Sequence, residues 1–260
     1  MADITHIPID WQHAPWPTAQ TQKRLALIEL GLLSPTERTT LFEMQDITAV
    51  PLLQDHRQPH LTAEGPWLLE VTRESIPQFT AHKALDCALH AWIESRVSSQ
   101  QLAIQLAPAM VACPMDEPPS LLRFYLPQVI RHLHAETHAD WHLSLFGGIE
   151  QWWRPDDEQG WQSLGAMPVQ EPLESQWQLT LSSSLYQALQ GDPEVRSFTR
   201  LLTQQHPELL NGVCGCARSQ QVEEALLAAS EAGVVQRDER LAYVYRRLLA
   251  RDQESPNPCW

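Results

Sequence analysis

Three histidines, two neighbouring thiols and three isolated charges are the residues of this chain whose types and spacing could do chemistry. The segment RHLHAETHADWH sets His134, His138 and His142 four apart, which on one helix would stack imidazoles along a single face. Zinc sites use such spacing, but the acidic residue of an H-E-x-x-H signature is missing. The competing reading is a polar face beside the apolar stripe of Val129, Leu133 and Trp141, and it is preferred. Cys214-Gly-Cys216 sets two thiols together, yet the spacing is not C-x-x-C and no second pair accompanies it. Small residues in a loop between helices account for it better. No G-x-S-x-G elbow, Walker A loop or G-x-G-x-x-G turn occurs. Asp156, Asp157 and Glu158 follow Pro155 and read as a solvated run.

The isolated charges are Glu29, Glu70 and Arg123, each inside an apolar stretch. LLRFYLPQVI (121–130) reads as a strand stopped by Pro127, where a helix starts. Alternate strand residues face opposite sides, so Leu122, Phe124 and Leu126 are expected on one face, with Arg123 and Tyr125 on the other. A buried charge without a partner is costly. Glu29 or Glu70, on a neighbouring strand, is therefore expected to pair with Arg123. An anion-binding catalytic role for Arg123 lacks companion groups, so these residues are read as structural.

The elements that must hold them alternate. LALIEL (25–30), PWLLEV (66–71), HAWIESR (90–96) and LLRFYL (121–126) read as strands. Between them lie SPTERTTLFEMQ, with Ser34 and Glu37 forming a capping box, then IPQFTAHKALDCAL, then QQLAIQLAPAMV capped by Ser98 or Ser99. Such alternation predicts an α/β lobe with a sheet flanked by helices. A helix is expected from Pro127 through Trp141, then turn-rich sequence whose tryptophan segments could form edge strands or a hairpin. SSLYQALQ, EVRSFTRLLTQQ, SQQVEEALLAASEAG and DERLAYVYRRLLARD read as helices, with Leu241, Val244, Tyr245 and Leu248 on one buried face. Gly233 is expected to end the third of these helices and Asp238 to cap the fourth. The predicted divisions are an irregular arm (1–24), an α/β lobe (25–172), an all-helical C-terminal lobe (173–252) and a tail (253–260).

Composition narrows the function. The chain has 260 residues, a hydrophobic share of 43% and a formal charge of −14. That charge argues against nucleic acid and against anionic membranes, which need a basic footprint. The opening residues lack a basic stretch followed by an apolar core, so no signal peptide is expected. No segment approaches the roughly 20 apolar residues of a membrane span. Five scattered cysteines do not suggest a disulfide framework, and a reducing cytoplasm fits. Ten tryptophans are present against four tyrosines. Trp11, Trp16, Trp152, Trp153, Trp161 and Trp260 lie in irregular or terminal sequence where a partner could be contacted.

With these residues in view, LLRFYLPQVIRHL followed by LFGGIEQWW resembles the R-F-Y-D-P-R-V-L motif and phenylalanine-glycine turn of type VI secretion adaptor chaperones, a family long catalogued as a domain of unknown function. LALIEL resembles its first strand, with Glu29 at the acidic position. LFEMQ and GPWLLEV resemble its next segment, with Trp67 at the aromatic position. HAWIESRVSSQQLAIQL resembles the strand and helix before the main motif, and ALLAASEAGVVQRDERLAYVYRRLL its closing helix pair. Leu126 stands where the motif carries an acid, and Gln128 where it often carries an arginine.

The resemblance implies a cytoplasmic, non-enzymatic adaptor without a cofactor, which binds a cognate secreted effector and the VgrG spike. Arg123, Phe124, Tyr125, Pro127, Glu29 and Glu70 would then be structural, and Trp152 and Trp153 are expected to contact the partner. Packing between the lobes is the competing role for that pair. Two other functions compete: a metal-dependent hydrolase using the histidine-rich segment or residues 156–158, and a structural component of a larger assembly.

Overall fold

The computed structural model describes residues 24–43, 48–53, 59–72, 85–156, 160–168, 170, 177–210 and 215–254. The chain forms two compact units, Met1–Leu189 and Gln190–Trp260.

The first unit is a mixed α/β body. Six strands, β1 (Arg24–Glu29), β2 (Thr48–Pro51), β3 (Pro66–Val71), β4 (Leu89–Ser95), β7 (Ile149–Asp156) and β8 (Gly160–Ser163), form a sheet in the order β2-β3-β1-β4-β7-β8. Every neighbouring pair in it is antiparallel. Three more strands, β5 (Val111–Pro114), β6 (Ser120–Leu121) and β9 (Leu179–Leu181), form a smaller sheet in the order β6-β5-β9.

The central strands read as unbroken apolar runs because both faces of the large sheet are covered. Leu25 and Leu27 of β1 join one core with Leu68, Ile93 and Trp152. Ala26 and Ile28 join the other, with Leu69, Trp92 and Trp161. Helix α4 (Ser99–Leu106) supplies Leu102, Ala103 and Leu106 to the first core. Its predicted cap is present: Ser98 Oγ accepts from the Gln101 amide while the Gln101 side chain accepts from the Ser98 amide. The capping box at α1 (Pro35–Glu43) also forms, with the Ser34 amide donating to Glu37 Oε2 at 2.7 Å and the Glu37 amide to Ser34 Oγ at 3.3 Å. Two short helices, α2 (Pro59–Glu64) and α3 (Leu85–Ala88), complete the first half. Residues 76–84 of the helix expected over IPQFTAHKALDCAL lie outside the described residues.

The structure corrects the strand expected at 121–126. Only Ser120 and Leu121 are strand; the chain then turns, with the Leu126 amide bonding the Arg123 carbonyl at 3.1 Å. Phe124 and Tyr125, adjacent in sequence, are both buried. A strand would have put them on opposite faces. The turn delivers both inward and leaves Arg123 at the rim. Pro127 then occupies the first turn of α5 (Pro127–Ala135), where its missing N–H costs nothing.

That helix is shorter than expected. It stops at Ala135, turns through 136–141, and resumes as α6 (His142–Phe146). Thr137, four residues after Leu133 and four before Trp141, is exposed in that turn. The tryptophan-rich segment after it does form a hairpin, β7–β8.

Helix α7 (Ser183–Gln190) follows β9. Leu179, Leu181, Leu185 and Tyr186 pack in the first unit's core, so β9 and most of α7 belong there rather than to a helical lobe starting at 173. The second unit holds α8 (Pro193–Gln205), α9 (Gly215–Glu231) and α10 (Arg237–Glu254). Its core gathers Phe198, Leu202, Val222, Leu226, Val244 and Leu248, with Leu241 and Tyr245 packed against it. Gly233, at φ 72°, ends α9 as expected: the Val234 amide reaches the Ala229 carbonyl and the Gly233 amide the Ser230 carbonyl, which is a Schellman closure. Asp238 sits inside the first turn of α10, not at its cap.

Candidate functional site

The densest meeting of titratable groups from separate elements in the first unit surrounds Glu29. Glu29 closes β1, His90 lies near the start of β4, and Arg123 and Tyr125 come from the turn before α5. His90 Nε2 lies 3.3 Å from Glu29 Oε2, and the Arg123 guanidinium donates to the same oxygen. The Tyr125 ring packs beneath, 5.0 Å from His90 and edge-on to Phe124 at 5.5 Å. Phe124 continues inward to Trp152 at 6.4 Å. The Arg-Phe-Tyr triplet thus divides three ways: arginine to a strand-end carboxylate, phenylalanine to the core, tyrosine under the imidazole.

Burial works to raise the Glu29 carboxyl, but the hydrogen bonds and charges of His90 and Arg123 outweigh it and hold it below the usual carboxylate range. Burial and the Glu29 charge push the Tyr125 phenol upward, so it stays neutral. Carboxylate, imidazole, phenol and guanidinium are the groups of an acid–base site. Here one carboxylate oxygen, Glu29 Oε2, meets both His90 and Arg123, joining the ends of two strands to a turn. Of the two expected partners for Arg123, Glu29 is the one the structure brings to it. Glu70 pairs in register with Leu25, at the far end of β1 from Glu29, and accepts from Ser99 Oγ at 2.7 Å. It ties α4 to β3 instead.

This arrangement gives Arg123→Leu a defined outcome. The Arg123 side chain is 43% exposed, so solvent screening leaves about 1 kcal/mol of destabilisation in urea unfolding at pH 7. The pH dependence follows from Glu29. Its folded form resists protonation relative to the unfolded chain, so its contribution is present above the unfolded carboxylate value of 4.5. It is lost as pH falls through the lower folded value. Glu29→Gln should remove that part of the acid slope, seen as a flatter stability profile between pH 5 and pH 3.

The expected contact pair separates across the sheet. Trp152 faces the first core, has no exposed surface, and packs on Phe124 and on Phe146 at 6.5 Å. Its contact role is therefore corrected to core packing. Trp153 points to the opposite face, half-buried against the second core. The two face different cores because adjacent strand residues must diverge.

His134 and His142 do come close, with rings 5.8 Å apart. The link is structural: His142 Nε2 contacts the His134 carbonyl at 3.1 Å, and both rings pack on Phe146. His138 is exposed in the intervening turn. Among the described residues, no three His, Cys, Asp or Glu side chains gather as a metal-binding group. Asp157, Glu158 and Cys214 lie outside the described residues.

Sequence reasoning missed two polar clasps. His90 shares the Glu29 carboxylate, and Gln105 donates from Nε2 to the carbonyls of Leu145 and Gly147 at 3.0 and 2.8 Å, fixing the turn after Phe146. A polar residue inside an apolar run was the available signal in both cases, as it was for Arg123.

Residues 26–145 match the family described as Domain of unknown function (DUF4123), a span of just under half the chain. It runs from β1 into α6 and takes in Glu29, His90, Arg123 and Tyr125. No curated protein and no solved structure matches the chain. Among the described residues, no helix is long and apolar enough to cross a membrane.

Proposed function

We propose that this chain is a cytoplasmic, non-enzymatic adaptor chaperone that binds a cognate type VI secretion effector and helps load it onto the VgrG spike. One observation carries the reading: the DUF4123 match covers the segment whose Arg-Phe-Tyr turn, strand-end acid and following helix form one clasp. The resemblance to type VI adaptor chaperones rests on those same elements. The polar groups of the clasp serve the scaffold, which suits a protein that works by surface recognition. Holding a partner segment until the spike takes over is differential binding, in which the adaptor favours one state of its cargo.

The test is affinity purification of the tagged full-length chain from its own cells, followed by mass spectrometry. One large toxin retained near stoichiometry, with VgrG, supports loading. Retention of neither, or turnover of a small substrate by the purified chain, overturns it.

A further inference from the structure

The smaller sheet carries large apolar side chains that are exposed among the described residues. Val111 and Leu121 lie opposite each other on β5 and β6 at 39% and 65% exposure, and Met115, just beyond β5, is 73% exposed. Met115 also borders an open cleft of about 550 Å³, shared with Glu136, Asp140, Trp141, Trp177 and Leu185. That volume falls inside the range of about 300–1,000 Å³ found for pockets that bury a compact ligand.

Two features of the cleft bear on what it takes. First, its aromatic walls are fixed. Trp141 Nε1 donates to the Thr180 carbonyl at 2.7 Å and Trp177 Nε1 to the Gln105 carbonyl at 3.0 Å. Held by its polar end, the half-buried Trp177 ring offers apolar surface with little entropy left to lose on binding, and the buried Trp141 backs the wall. The first of these bonds also occupies a β9 carbonyl, so recognition there would run through side chains rather than strand addition.

Second, its charge has one sign. Glu136 and Asp140 are both exposed, and none of the lining residues is lysine or arginine. Asp116 and Glu117, exposed beside Met115, extend the acidic rim.

We infer that the cleft beside β9, together with the apolar face at Met115, Val111 and Leu121, docks a cationic, apolar segment of a partner protein. An aliphatic or aromatic side chain packs between Trp177 and Met115, and flanking lysines or arginines meet Glu136 and Asp140. This deepens the adaptor reading and rests on it for the partner's biological identity, but the binding chemistry is testable by itself.

The probe is a fluorescence-labelled peptide of alternating lysine and leucine, titrated against the full-length chain. Glu136→Lys with Asp140→Lys should weaken binding about tenfold or more, since opposed charges at a rim become like charges. Met115→Gln should weaken it by a smaller factor while leaving the salt dependence unchanged. The control, Glu223→Lys with Glu231→Lys on exposed positions of α9, makes the same change in net charge and should leave affinity within about twofold. Equal weakening by both double variants would mean diffuse attraction to an acidic protein and would overturn the inference. So would indifference to Glu136 and Asp140, or no binding to the wild-type chain. If the peptide separates the variants while purification retains no toxin, the adaptor reading fails and the docking site stands. If a toxin is retained equally by wild type and the Glu136→Lys, Asp140→Lys variant, the docking site fails alone.

Discussion

Trp152→Ala should destabilise the first unit by about 3–5 kcal/mol, the range for removing a fully buried tryptophan from a packed core. The indole has no exposed surface and sits among Phe124, Phe146 and the rest of the large core. Deleting it removes apolar area from burial and opens a cavity beneath the Arg-Phe-Tyr turn, which Phe124 braces from the other side. Trp152→Phe should lose far less, because it keeps most of the apolar volume. It also removes an indole N–H that finds no acceptor among the described residues, a group costly to bury unpaired. Chemical unfolding of the three proteins checks this. An alanine variant as stable as wild type would mean that Trp152 is not in the core.

Glu94→Leu should cost about as much for a different reason. Arg24 is completely buried at the start of β1, and its Nη2 donates to Glu94 Oε1 at 2.6 Å across the β1–β4 pair. Burial lowers the Arg24 pKa while Glu94 works to raise it. The guanidinium also stacks on Trp92, 5.8 Å from the ring centre. Removing the carboxylate breaks a buried ion pair and leaves the guanidinium one acceptor short, a change whose scale is about 3–5 kcal/mol. The double variant Arg24→Met, Glu94→Leu should recover most of that loss, since apolar residues of similar volume can match a buried ion pair. A double variant no better than Glu94→Leu alone would show that the pair contributes more than mutual neutralisation.

Much of the scaffold could be read from residue order. LALIEL, PWLLEV and HAWIESR became strands because runs of apolar, β-favouring residues ended at sharp breaks, and the boxes at Ser34 and Ser98 formed because capping is local. What failed was non-local. LLRFYL has the composition of a strand, yet the core demands both Phe124 and Tyr125, so a turn prevails. The four-residue spacing from Val129 to Trp141 looked continuous, but the chain breaks it at 136–141, and this brings His134 and His142 together by another route. Alternation of strands and helices gave the right layers without revealing that every strand pair of the large sheet is antiparallel. Trp152 and Trp153 could not be sorted until the sheet had two covered faces.

The clasp was the most legible part of the site. A lone arginine in apolar sequence required a carboxylate, and Glu29 supplies it. His90 carried the same signal, a polar residue in an apolar run, but its carboxylate lies on another strand that only the fold brings alongside. The cleft beside β9 was missed because its walls come from three segments far apart in the chain: Met115, 136–144 and 177–185.

On the proposed function, this chain carries a toxin to a secretion spike. The most direct test is secretion itself, measured in cells deleted for this chain and in cells complemented with it. The adaptor account predicts that the cognate toxin disappears from the culture supernatant while VgrG is still released, and that wild-type chain restores export. Unchanged toxin export in the deletion strain would contradict it.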